Sequence, residues 1–162
     1  GQGYYDSGMT QTNLTELVER LKTAFADNLW GVALFGSQAR GDAAAGSDYD
    51  LFIVLEGLPN RPIERQVHIM RRLGRKGSAS IIAKSRHEFE SVFPSLYLDL
   101  AVDGRILFDR NGYLAARLGR GRELIAVAGL VRRKQRRGFA WDWARKHGPE
   151  WRVDWTGVYG IV

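Results

Sequence analysis

Residues 34–55 read LFGSQARGDAAAGSDYDLFIVL. An apolar run stops at Gly36 and Ser37, a glycine- and alanine-rich linker follows, and Asp48 and Asp50 stand at the mouth of a second apolar run, Tyr49 to Leu55. Both runs have the length and composition of buried strands. Side chains two apart on a strand point the same way, so the two carboxylates share one face and lie close together. Two anions beside an apolar strand are costly unless a cation separates them, and hard oxygen donors favour magnesium, with manganese as a substitute. Glycine at 36 permits close backbone approach, while the serine hydroxyl and neighbouring N–H groups can hold phosphate oxygens. A phosphate cradle beside a metal-binding acid pair suits phosphoryl or nucleotidyl transfer, where charge builds on the transferring phosphorus and its leaving group.

Working outward, Leu14, Leu17, Val18, Leu21, Ala24 and Phe25 recur at helical spacing, with Asn13 and Glu16 placed like a capping pair. Trp30 to Phe35 reads as the first strand. After the Gly57, Pro59, Asn60 turn, Pro62 suits a helix start, and Ile63, Val67, Met70 and Leu73 mark one helix face ending near Gly74 and Gly77. Ala79 to Lys84 is a third strand, and Ser85 with Glu88 has the form of a capping box. From Leu96 the chain alternates, with Leu98, Leu100 and Val102 opposite Tyr97, Asp99 and Ala101, and Asp103-Gly104 leads into Ile106 to Phe108. This pattern predicts a hairpin. Residues 113–133 read as helical. The expected fold is α/β (α+β), a mixed sheet flanked on one side by helices.

Gly36-Ser37, ten intervening residues and then Asp48-Tyr49-Asp50 resembles the signature of the DNA polymerase beta-like nucleotidyltransferases, the minimal stand-alone members above all. In a chain of this composition the pattern is expected by chance about 0.003 times, too seldom for coincidence. The resemblance runs from the first helix to Asp109. It implies the nucleotidyltransferase (polymerase beta-like palm) fold and a third carboxylate on a neighbouring strand, the position matched by Asp99. It further implies that Asp48, Asp50 and Asp99 hold two magnesium ions, that Asp99 helps deprotonate an attacking hydroxyl, and that Gly36 and Ser37 bind the nucleotide. The expected reaction moves NMP, AMP from ATP, onto a hydroxyl. By the same resemblance the acceptor is a protein, such as the HEPN-domain partner of toxin–antitoxin pairs. The alternative is a non-catalytic module that keeps the fold and binds nucleotide, RNA or a partner.

The chain's 162 residues suit one domain, divided as a disordered or tag-derived segment 1–12, a catalytic domain 13–137 and a basic, tryptophan-rich tail 138–162 packed on the domain or a partner. No apolar run is long enough to span a membrane, and the absence of cysteine excludes disulfides and thiolate metal sites, which fits a cytoplasmic protein. The net charge of +6 centres on Arg132, Arg133, Lys134, Arg136 and Arg137. This run is read as a solvated helix end complementing the C-terminal dipole, in preference to a nucleic-acid site. Trp141 and Trp143 are read as covering the sheet or a partner rather than stacking on bases. Arg40 with Asp42 reads as a surface pair, and His68, His87 and His147 as structural.

Overall fold

The computed structural model describes residues 11–44, 46–74 and 79–160; segment 1–10 and Gly77 lie outside the described residues. Helix α1 (Gln11–Phe25) leads into β1 (Leu29–Phe35), α2 (Gly36–Arg40), β2 (Tyr49–Leu55) and α3 (Pro62–Leu73). Then come β3 (Ala79–Lys84), α4 (Arg86–Ser91), α5 (Ser95–Asp103), β4 (Arg105–Asp109) and α6 (Tyr113–Ala128). Four short strands close the chain: β5 (Leu130–Lys134), β6 (Phe139–Trp143), β7 (Arg152–Asp154) and β8 (Gly157–Tyr159). Asn13 falls inside α1 and not at its cap.

The main sheet has the order β3-β2-β1-β4. Strand β2 runs parallel to β3, whereas β1 is antiparallel to both β2 and β4, which makes the sheet mixed. Helices cover both faces, not one as the sequence had suggested. Val32, Leu34, Leu51, Ile53 and Leu55 face α1 and α3, while Ala33, Phe52 and Val54 face residues of α4, α5 and α6. Burial on both faces explains why Leu51 to Leu55 form an unbroken apolar run instead of alternating.

Three local readings change. On α3 the core stripe is Arg65, Ile69 and Leu73, spaced four apart, while Ile63 and Val67 are exposed. Burying Arg65 is tolerable because its guanidinium donates to Glu88, to the Ala83 carbonyl and to the Pro59 carbonyl. Residues 95–103 form helix α5 and not the first strand of a hairpin. Tyr97, Leu98, Leu100 and Ala101 are its buried residues, an i, i+1, i+3, i+4 set that a helix satisfies as well as the alternation satisfies a strand. Pro94 sits at its N-cap, and Gly121 lets α6 approach it closely: a Cβ there would come 2.9 Å from the Ala101 methyl. Finally, α6 ends at Ala128, with Gly129 in the left-handed conformation as its cap, so the basic run lies in β5 and the turn after it.

Candidate active site

Strand β1 delivers the chain to Phe35, and Gly36 then turns it with φ of +72° into the single turn of α2. Gly41, at φ +82°, ends that turn. Gln38 donates to the Ser47 carbonyl at 3.0 Å and so ties α2 to the residue before Asp48. The chain re-enters the sheet with Asp50 paired across from Phe35. Asp50 therefore shares a face with Phe52 and Val54, the face covered by α4, α5 and α6. Its carboxylate lies against Gly36 so closely that a Cβ there would stand 2.3 Å from Oδ2. Only glycine leaves room for this approach.

The structure brings Asp48 and Asp50 together electrostatically. Burial first, and the negative Asp48 second, hold the Asp50 carboxyl above the usual carboxylate range, while the Arg40 guanidinium pulls it back. Ser80 of β3 lies in register beside Asp50 and presents a hydroxyl on the same face. An exposed Asp48 beside a half-buried Asp50, the one repelling the other, is a pair of oxygen donors that suits a hard divalent cation.

Asp99 lies on the same side of the sheet but in a different set of contacts. Its Oδ1 accepts from Trp141 Nε1 at 2.9 Å and from Arg132 Nη1 at 3.3 Å. One helical turn later, Asp103 receives both Arg132 Nη1 (2.6 Å) and Nη2 (3.1 Å), and Arg40 Nη1 at 3.5 Å. Among the described residues, no three His, Cys, Asp or Glu side chains gather in a way that could hold a metal ion. The geometry thus supplies an acid pair, and Asp99 belongs to the anchor of the β5–β6 hairpin.

Arg40 is the residue the sequence undervalued. It does pair with Asp42, at 3.2 Å, but it also reaches Asp103 and lies 4.9 Å from the centre of the Phe139 ring. Arg132 lies 4.1 Å from the same ring. A helical reading of residues 95–103, which puts Asp99 and Asp103 one turn apart, would have revealed this network. His68 and His147 pack against Phe25 and the Trp143–Trp151 pair, away from the acids.

Comparison with known proteins bears on the family and the fold. The model of the nucleotidyltransferase domain family matches residues 14–111. A candidate protein adenylyltransferase from Methanocaldococcus jannaschii, MJ1305, is 29% identical over 127 residues, covering 74% of this chain and 86% of its own. A crystal structure of a toxin–antitoxin with AMP-PNP aligns with a TM-score of 0.51 at 13% identity, over 70% of this chain and 87% of the other. A mutant form of the MntA–HpeT toxin–antitoxin aligns with the same score, identity and coverage. These structural likenesses carry the fold alone.

Proposed function

This chain belongs to the nucleotidyltransferase domain family, and from that premise we propose that it transfers AMP from ATP onto a hydroxyl acceptor. The observation that carries the reading is Asp50 near the start of β2 with Asp48 just before the strand and acting on its charge, and with Asp50 packed against Gly36 at the turn where a triphosphate would lie. Asp48 and Asp50 would hold magnesium, or manganese in its place. The ion would offset phosphate charge and the charge building on the entering and departing oxygens. Gly36 and Ser37 orient the phosphates through backbone N–H groups and the serine hydroxyl. The acceptor oxygen attacks the α-phosphorus in line, the bond to pyrophosphate breaks, and the hydroxyl proton leaves to solvent or to a nearby carboxylate.

A protein acceptor is favoured by the resemblance to MJ1305, and a HEPN-type partner by the resemblance of the Gly36-Ser37 and Asp48-Tyr49-Asp50 motif to the minimal nucleotidyltransferases. One observation favours a second reading. Asp99 is committed to Arg132 and Trp141, so a site with two acids could bind nucleotide without turning it over.

Incubation of the protein with α-labelled ATP, magnesium and a co-expressed candidate partner separates the two readings. Transfer predicts label on the acceptor, lost in an Asp48→Asn, Asp50→Asn double variant. Magnesium-dependent ATP binding with label confined to ATP and its breakdown products supports the binding module and overturns the transferase.

A further inference from the structure

Nearly all of the chain's net charge lies in one short region. Between residues 130 and 154 there are eight Lys or Arg against three Asp or Glu, an excess of five in a protein whose total is +6. The structure places the densest part of that charge at the end of the β5–β6 hairpin. Lys134 pairs with Phe139, the Gln135 N–H donates to the Gly138 carbonyl, and Gly138 adopts φ of +71° to close the turn. Residues 133–138 are all exposed. Among the described residues, Arg133, Lys134, Arg136 and Arg137 make no ion pair, although eight other Arg or Lys residues do.

A helix dipole cannot account for this cluster, because α6 has already ended at Ala128. Four uncompensated cations within five positions repel one another, and an anionic partner relieves that repulsion. The tip also contains no apolar side chain between Arg132 and Phe139. A protein interface needs a desolvated apolar centre, and a membrane-binding loop needs apolar residues to insert; this tip has neither. Phosphodiester chains need only closely spaced cations.

The hairpin's base fixes where such a ligand would lie. Arg132 and Trp141 are bound to Asp99 and Asp103, and Phe139, one residue past the turn, lies against Arg40, whose charge is felt at Asp50. We propose that the β5–β6 hairpin is a nucleic-acid docking surface, with RNA phosphates held by Arg133, Lys134, Arg136 and Arg137 alongside the acid pair. This inference goes beyond the nucleotidyl-transfer reading and stands or falls separately from it.

The test is fluorescence anisotropy of the full chain with a labelled single-stranded RNA 20-mer between 50 and 200 mM salt, probe length and salt being roughly those over which phosphate contacts register. The wild type is expected to bind with steeply salt-dependent affinity. The Arg133→Gln, Lys134→Gln, Arg136→Gln, Arg137→Gln variant should bind at least about tenfold more weakly, its salt slope shallower by about 3. A variant with the three arginines replaced by lysine should keep the wild-type slope, which distinguishes lost charge from a lost fold. Magnesium-dependent ATP binding should be unchanged by the glutamine substitutions, and RNA binding should be no weaker in the Asp48→Asn, Asp50→Asn variant, which removes two negative charges beside the phosphates. The proposal is overturned if the wild type does not bind RNA or the glutamine variant binds equally well. It is also overturned if polyglutamate of matched charge competes as well as RNA, the outcome for an acidic protein ligand, or if ATP binding falls together with RNA binding, the outcome for cations that serve the triphosphate.

Discussion

Gly36 and Asp50 form the tightest local constraint in the site. At φ +72° a β-carbon is disfavoured by about 1–2 kcal/mol, and it would also overlap the Asp50 carboxylate. Gly36→Ala should therefore abolish magnesium-dependent ATP binding while lowering Tm by only a few degrees; unchanged binding would show that Asp50 has room to move. Asp50 itself is held above the ordinary carboxylate range by burial and by Asp48, so its ionisation opposes folding. A group with a raised folded value contributes most at low pH and loses that contribution as pH rises through it. Asp50→Asn is thus expected to raise Tm at pH 7, by about 1–2 °C for a chain of this size, while removing activity. A Tm that falls on this substitution would contradict the repulsion. Asp99 gives the complementary case. Asp99→Asn should retain most nucleotidyl transfer and weaken the hold on Arg132 and Trp141; loss of transfer as complete as for Asp50→Asn would restore it as a third ligand.

At the level of elements, the turn from β1 through α2 to β2 was legible because its signal is local: a glycine-serine stop, a fixed spacing and an apolar run, although the continuity of that run also pointed to two covered faces where the sequence reading expected one. Strand β3 and the α4 capping box were legible for the same reason, and Ser85 and Glu88 exchange both expected hydrogen bonds. Helix α5 was not. Its nine residues contain apolar groups at both period 2 and period 3.6, and only contact with α6 through Ala101 and Gly121 decides between them. That error carried Asp99 onto a strand and hid its partnership with Asp103. Strands β5 and β6 were hidden because their inward face carries Arg132 and Trp141, residues whose burial depends on partners distant in sequence. The α4 cap also reaches beyond its own helix: Glu88 receives both terminal nitrogens of buried Arg65, at 2.8 and 2.7 Å, which holds its carboxyl down to about 2. A depressed folded value stabilises at pH above the unfolded value of 4.5, and this contribution is lost as pH falls from there towards 2. With the Glu88 side chain 38% exposed, solvent reduces the effect, and Glu88→Gln should cost about 1–2 kcal/mol at pH 7. Urea titrations at pH 7 and pH 3 test this: the gap between variant and wild type should narrow at the lower pH.

For the whole molecule, the decisive feature is that the core on the second face of the sheet closes late in the chain. The family match ends at residue 111, yet Phe89 and Tyr97 are covered by Trp155, with ring centroids 5.4 and 6.2 Å away. The Trp155 indole donates to the carbonyls of Phe89 and Val92, and the Arg117 guanidinium lies 4.1 Å from the centre of its ring. A residue 8% exposed, with two backbone acceptors depending on it, is structural in weight even though it lies in a tail of irregular composition. Trp155→Ala should cost about 3–5 kcal/mol by opening a cavity over Phe89. Trp155→Phe should recover most of the packing but leave two carbonyls unpaired, at about 1–3 kcal/mol. Ending the chain at residue 137 removes Trp155 together with Phe139 and Trp141, so it uncovers the aromatic core and cuts the hairpin that holds Arg132 over Asp99 and Asp103. Such a truncated chain should show no cooperative thermal transition. If it melts as sharply and as high as the full chain, the last 25 residues are an appendage and the core must close without them.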